Sequence, residues 1–323
     1  MCLFSARVSS FFCQPGPIIM DNMRGILLMV LGMVGFAAED MFIKLAASGL
    51  PVGQILVVLG FLGALVFAIY ARLAGTSVFS KGFFHPAVLL RNLSEMLGGL
   101  CFVTALTLIP LATLTTILQA TPLLVTMGAA LILGEAVGWR RWTAILVGFG
   151  GVLLVIRPGL EGFEPEVLWA VAGVIGLATR DLASRKVPKA ISSLQLAAWG
   201  FFAVGVSGAV LLAITGGAEM PTLREGSYLT GALVVGVGAY WALTEATRIG
   251  EIGVVTPFRY VRLVFSTIIG ILVFAEFPDF YTLVGACIII ATGIYTIMRE
   301  RTRRRQEAAK ARVSAAAPGE AML

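Results

Sequence analysis

Two arginines, Arg259 and Arg262, stand three residues apart in the run Thr256-Pro-Phe-Arg-Tyr-Val-Arg262. A spacing of three puts both guanidiniums on one face of a helix. Pro257 removes a backbone donor and loosens that helix locally, and Tyr260 places a ring and a hydroxyl between the two charges. Cavity-facing guanidiniums beside freed carbonyls form a receptor for a polar solute. Other ionisable side chains interrupt apolar runs elsewhere: Glu39 with Asp40, Arg91 with Glu95, Arg180 with Asp181, and Glu245, which shares its run with Tyr240 and Trp241. Both signs of charge are present, so the chemistry on offer is non-covalent recognition of a small solute of mixed charge.

Chemistry of other kinds finds little support. His85 is the single histidine, and Cys2, Cys13, Cys101 and Cys287 show neither a CxxC pair nor metal-ligand spacing, so no metal or cofactor is expected. Gly148-Phe-Gly150 lies inside an apolar run and is not a nucleotide loop. An enzyme acting on a lipid-linked substrate would need clustered acids or a histidine at the membrane face, so the chain is not read as an enzyme. Structural roles compete for several of the charges. Arg91 and Glu95 at i, i+4 can neutralise each other, Glu245 and Arg248 can snorkel, and Asp40 and Asp181 can pair with Lys44 and Arg185 one turn on. Glu135 and Glu276 read as helix terminators, and Phe36, Phe102, Trp142, Trp169 and Trp199 as lipid-facing or interfacial. The glycines Gly32, Gly35, Gly60, Gly63, Gly148, Gly150 and Gly151 suit close helix packing.

The elements that must hold these groups are membrane spans. The 323 residues are 58% hydrophobic and 13% charged, with a mean hydropathy of +0.94, far more apolar than a soluble domain. Ten segments reach the roughly 20 apolar residues that a span needs: about 24–46, 52–74, 87–109, 111–134, 140–157, 166–187, 191–215, 226–247, 252–275 and 279–298. The net charge of +6 does not indicate nucleic acid. With the N-terminus in the cytoplasm, eighteen basic residues fall on the inner side and three (Lys44, Arg157 and Arg224) on the outer, which satisfies the positive-inside rule with both ends cytoplasmic in a bacterial inner membrane. Residues 1–23 are expected to be a disordered or mis-annotated tail, and 299–323 a basic cytoplasmic tail.

The chain also repeats. A gap-free shift of 141 residues lays Gly35 on Gly176, Asp40 on Asp181, Lys44 on Arg185, Gln54 on Gln195, Gly75 on Gly216, Thr115 on Thr256 and Glu135 on Glu276. Each half holds an odd number of spans, so the halves at 24–157 and 166–298 cross with opposite orientation. The fold class expected is therefore all-α membrane, ten helices in two inverted five-helix repeats, with the solute site between them. Asp40 and Asp181 would approach the pseudo-two-fold axis, and a carboxyl there makes the proton a candidate coupling ion.

Several segments carry a family likeness: Ala105-Leu-Thr-Leu-Ile-Pro-Leu-Ala-Thr113, Thr121-Pro122, Leu133-Gly-Glu135 and Ala275-Glu276. Through them residues 24–298 resemble the EamA-type transporters of the drug/metabolite transporter superfamily. Pro257-Phe-Arg-Tyr260, Phe274-Ala-Glu-Phe-Pro-Asp279 and Arg157-Pro with Phe163-Glu-Pro-Glu166 are similar to the S-adenosylmethionine uptake permeases within it. The resemblance implies a secondary carrier of a small metabolite, with uptake of S-adenosylmethionine as the first expectation. Export of amino acids or related metabolites, or carriage of a riboflavin-like vitamin, are the alternatives.

Overall fold

A computed structural model describes residues 17–135, 137–159, 163–249 and 251–316. Helices follow one another as α1 (Pro17–Ala46), α2 (Val52–Leu73), α3 (Pro86–Leu108), α4 (Leu111–Leu118), α5 (Thr121–Ile132), α6 (Trp139–Ile156), α7 (Val167–Ser184), α8 (Ser193–Thr215), α9 (Leu223–Ile249), α10 (Ile252–Val255), α11 (Val261–Phe274) and α12 (Phe280–Ala316). Ten helical stretches among the described residues are long and apolar enough to cross a bilayer, α4 with α5 forming one and the segment Thr256–Phe274 another. The chain crosses ten times, so α1 begins and the last span ends at the same end of the bundle, the near end. The loops after α1, α3, α6, α8 and α11 lie at the far end.

Helix extends into both terminal segments. Helix α1 begins at Pro17, so part of the expected tail is ordered, because proline suits a first helical turn and no breaker follows it. Residues 1–16 lie outside the described residues. At the other end α12 runs on through the basic segment to Ala316, a stretch of Arg, Glu, Gln, Lys and Ala that favours helix.

Two spans are broken, the same one in each repeat. Pro122 interrupts the fourth, where its missing N–H leaves the Leu118 carbonyl free and the Thr121 hydroxyl donates to that carbonyl at 2.6 Å. In the ninth, Thr256–Tyr260 leaves the α-helix for a 3₁₀ turn with Pro257 near its start, a tighter winding where a loosened helix was expected. The two breaks meet: the Gln119 side-chain amide donates to the Arg259 carbonyl at 3.2 Å.

Helix pairing follows the pseudo-two-fold. Helix α1 packs along α9, and α3 along α7, which is the same pair under the 141-residue shift; α2 packs on α8, α6 on α12 and α4 on α11. Glycine permits the close approach of α3 and α7, since a Cβ on Gly176 would lie 2.6 Å from the Gly98 Cα. Gly150 does not share this role, because a Cβ there would meet nothing within 4 Å. The far-end and near-end loops are pinned by equivalent residues of opposite repeats. Gln54 exchanges hydrogen bonds with the Glu219 backbone at 2.6 and 3.0 Å, while Gln195 donates to the Ser77 carbonyl at 2.6 Å.

Candidate functional site

The charges predicted from sequence gather mostly into two groups between the repeats. In one, Arg262 of α11 donates to Asp40 of α1 at 2.6 Å, and its guanidinium lies 5.3 Å from the Phe36 ring and 5.8 Å from the Phe102 ring. Phe36 precedes Asp40 by one turn, so α1 offers ring and carboxylate on one face. Asp40 is 2% exposed, and the expected pair with Lys44 does not form. In the other group Arg180 of α7 bonds Glu95 of α3 at 2.9 Å and Asp181 at 2.8 Å. Glu95 also pairs with Arg91 at 3.2 Å, so the i, i+4 neutralisation is one part of a network. Arg91 continues it to the Leu196 carbonyl and to Asn92. Tyr240 stands within electrostatic reach of Arg91, Glu95 and Arg180, with its ring edge-on to Phe67 at 4.8 Å.

Arg259 lies between the two groups and differs from both. It feels the charges of Asp181, Arg180 and Arg262, so it is surrounded by protein, yet its side chain is exposed. Its charged neighbours belong to α7 and α11 of the second repeat and Gln119 of the first bonds its carbonyl, so Arg259 stands in the cleft where the two repeats meet. No ion pair ties its guanidinium among the described residues, whereas Arg262 and Arg180 are both neutralised.

Glu39 is the counterpart of opposite sign. Under the repeat, Glu39 corresponds to Arg180 and Gly236 to Glu95. Where Arg180 meets the Glu95 carboxylate on one side of the axis, the Glu39 carboxylate lies against Gly236 on the other, which has no side chain to answer it. Asp40 and Arg262 are its charged neighbours, Arg262 being bonded to Asp40, and among the described residues Glu39 makes no ion pair. A carboxyl inside a span without an ion pair is costly to ionise and marks a functional position.

Three of the residues singled out in the sequence stand apart. Tyr260 turns away from the cleft and is buried, its hydroxyl against Gly293 of α12 and without a hydrogen-bond partner. Trp241 is 60% exposed on the outer face of α9. Glu245 pairs at 3.7 Å with Arg248 of its own helix. Sequence reasoning also set aside groups that the structure brings inward. Phe36 and Phe102 flank Arg262 instead of facing lipid. Trp199 is buried and donates from its indole to the Val78 carbonyl at 3.0 Å. Asp181 pairs with Arg180, not with Arg185. Lys44 instead bonds Glu276 at 2.5 Å and Arg185 bonds Glu135 at 2.7 Å, so both glutamates join the repeats instead of only ending helices. No group of three or more potential metal ligands occurs among the described residues.

The EamA-like transporter family profile matches residues 23–157 and 165–299, one match for each repeat. The S-adenosylmethionine uptake transporter of Rickettsia conorii is 28% identical over 285 residues, 86% of this chain and 94% of that protein. The pseudopaline exporter of Pseudomonas aeruginosa is 27% identical, over 85% of this chain and 97% of its own length. A riboflavin transporter of Rhizobium johnstonii is 28% identical over 68% of this chain and 72% of its own length. A solved crystal structure with 22% identity superposes with a TM-score of 0.54 over 84% of this chain and 98% of that one, a likeness of fold.

Proposed function

We propose, since this chain belongs to the EamA-like transporter family, that the small metabolite it carries bears a cationic and an anionic group, and that S-adenosylmethionine entering the cell is the first candidate. The observation that carries the reading is a pair of ionisable side chains that make no ion pair among the described residues: Arg259, exposed where the repeats meet, and Glu39 against Gly236. A guanidinium takes a carboxylate in bidentate fashion, and a carboxylate takes an ammonium or sulfonium. Tyr240, beside the Glu95–Arg180 network, offers a ring face to a base. The name of the Rickettsia relative supports this solute, and that of the Pseudomonas relative supports export of another; direction of flux separates them. We place the protein in a bacterial inner membrane with both ends cytoplasmic, on the distribution of basic residues between loops. Protons are the coupling ion we would test first.

The test is uptake of labelled S-adenosylmethionine by bacterial cells expressing the chain, with Arg259→Ala and Asp181→Asn alongside and an uncoupler as a further arm. Saturable uptake that falls by roughly thirtyfold or more in Arg259→Ala is expected, the scale of losing one partner of a desolvated charge pair. No uptake above background from well-expressed protein overturns this solute and direction, and leaves efflux of amino acids and carriage of vitamins to be assayed. Unaltered uptake in Arg259→Ala removes Arg259 from the site.

A further inference from the structure

Two ion pairs outside the cleft are the same pair seen twice. Lys44 corresponds to Arg185 and Glu276 to Glu135 under the 141-residue shift. The basic partner of each pair comes from one repeat and the acid from the other, so Lys44–Glu276 and Arg185–Glu135 both cross between repeats. Their positions invert with the repeats: the first lies at the far end, in the last turn of α1 and just after α11, and the second at the near end, just after α5 and α7. Their surroundings differ. The Lys44 ammonium also donates to the Ile109 carbonyl at 2.9 Å and lies 5.2 Å from the Phe274 ring. Glu276 also accepts from the Leu111 N–H at 2.8 Å. Side-chain exposure there is 12% and 21%, against 42% and 45% for Arg185 and Glu135.

The structure assigns these four residues to gating: Lys44–Glu276 and Arg185–Glu135 are alternate latches that hold the repeats together at the far and near ends and so determine which end of the cleft opens. A water-exposed pair holds weakly, because solvent competes for both charges and side-chain entropy opposes the geometry. A pair withdrawn from water with its remaining hydrogen bonds satisfied leaves an uncompensated charge when one partner is lost. In this structure the far latch is therefore the firm one, and the near latch is the one that yields. Arg259, toward the near end of its span, is already exposed, in keeping with a cleft that communicates with that side. When the far latch opens, the symmetry-related near latch would take over the firm role, so one pair of surfaces serves both halves of the cycle. The assignment rests on the two-repeat carrier and not on which solute it carries.

The experiment reads sidedness and needs no substrate. Phe36→Cys, in a chain whose four native cysteines are replaced by alanine, reports on the cleft through its rate of reaction with a membrane-impermeant thiol reagent, in right-side-out and inside-out vesicles. Lys44→Met and Glu276→Gln are each expected to raise the far-side rate relative to the near-side rate by about tenfold, the population shift that one weakened latch of this kind produces. Arg185→Gln and Glu135→Gln are expected to move the ratio the other way. A ratio that stays unchanged, or that moves in the same direction for both pairs, overturns the assignment. If a single variant fails to fold, the charge-reversed Arg185→Glu/Glu135→Arg protein decides, since those two side chains bond each other alone among the described residues: recovery of the original ratio supports the latch, and a ratio in folded protein no nearer the original than that of Arg185→Gln defeats it.

Discussion

At the scale of single residues, two arginines one turn apart do different work because, among the described residues, only one of them has an ion-pair partner. Arg262 is neutralised by Asp40, itself 2% exposed, so each depends on the other. Arg262→Met alone leaves a buried carboxylate uncompensated, and a loss of about 3–5 kcal/mol is expected from breaking such a pair. Asp40→Leu/Arg262→Met removes both charges and is expected to recover most of that loss, read as thermal unfolding in detergent. A double variant no more stable than the single one would mean that Asp40 and Arg262 are not coupled. The identity of both arginines as interior charges was legible in Thr256-Pro-Phe-Arg-Tyr-Val-Arg262. Their partners were not, because local spacing proposes an i, i+4 neighbour such as Lys44 whereas tertiary packing delivered Arg262 across 222 positions of sequence. Tyr260 misled for a related reason: the longer rise per residue and tighter winding of the 3₁₀ turn at Thr256–Tyr260 swing its ring toward α12 and away from the arginine face.

At the scale of helices, glycine positions decide how closely the repeats interlock. Lipid tails are as apolar as the helix surfaces, so burial alone does not drive helices together in a bilayer, and close backbone approach must. Gly176 against Gly98 is such a contact. Gly176→Val is expected to cost about 1–3 kcal/mol by overpacking, seen as a lower unfolding midpoint. Gly150→Ala, where a Cβ meets nothing within 4 Å, should unfold as the parent does; an equal loss in both would show that the α3–α7 seam is not the cause. Hydropathy revealed all ten crossings, since it reads the quantity that lipid selects. It did not reveal that the fourth is broken, because an average over side chains is blind to the backbone donor that Pro122 lacks. The Thr121-Pro122 pair carried that information, and the bond from Thr121 to the Leu118 carbonyl is its consequence.

At the scale of the whole molecule, the shift of 141 residues is a geometric statement as well as a sequence pattern. It relates Gln54 to Gln195, and each pins a loop of the opposite repeat. It relates Gly75 to Gly216, and both take a left-handed φ, 76° and 67°, where glycine bears no steric penalty. Inversion requires these equivalent loops to emerge on opposite sides of the membrane, with Gly75 at the near end and Gly216 at the far end. In the orientation proposed above, the near end, which holds Arg72, Lys81, Lys186 and Lys189, is the cytoplasmic one. In a chain freed of its native cysteines, Gly217→Cys should therefore react with an impermeant thiol reagent on intact cells. Thr76→Cys and Thr302→Cys should react only once the membrane is permeabilised. Labelling of Thr76→Cys but not Gly217→Cys on intact cells would reverse the orientation, and with it the side from which Arg259 is reached. Labelling of both on intact cells, with permeabilisation adding nothing, would contradict the inversion itself. The three positions test symmetry and sidedness together, because a repeat that ran parallel to its partner would present 76 and 217 to the same compartment.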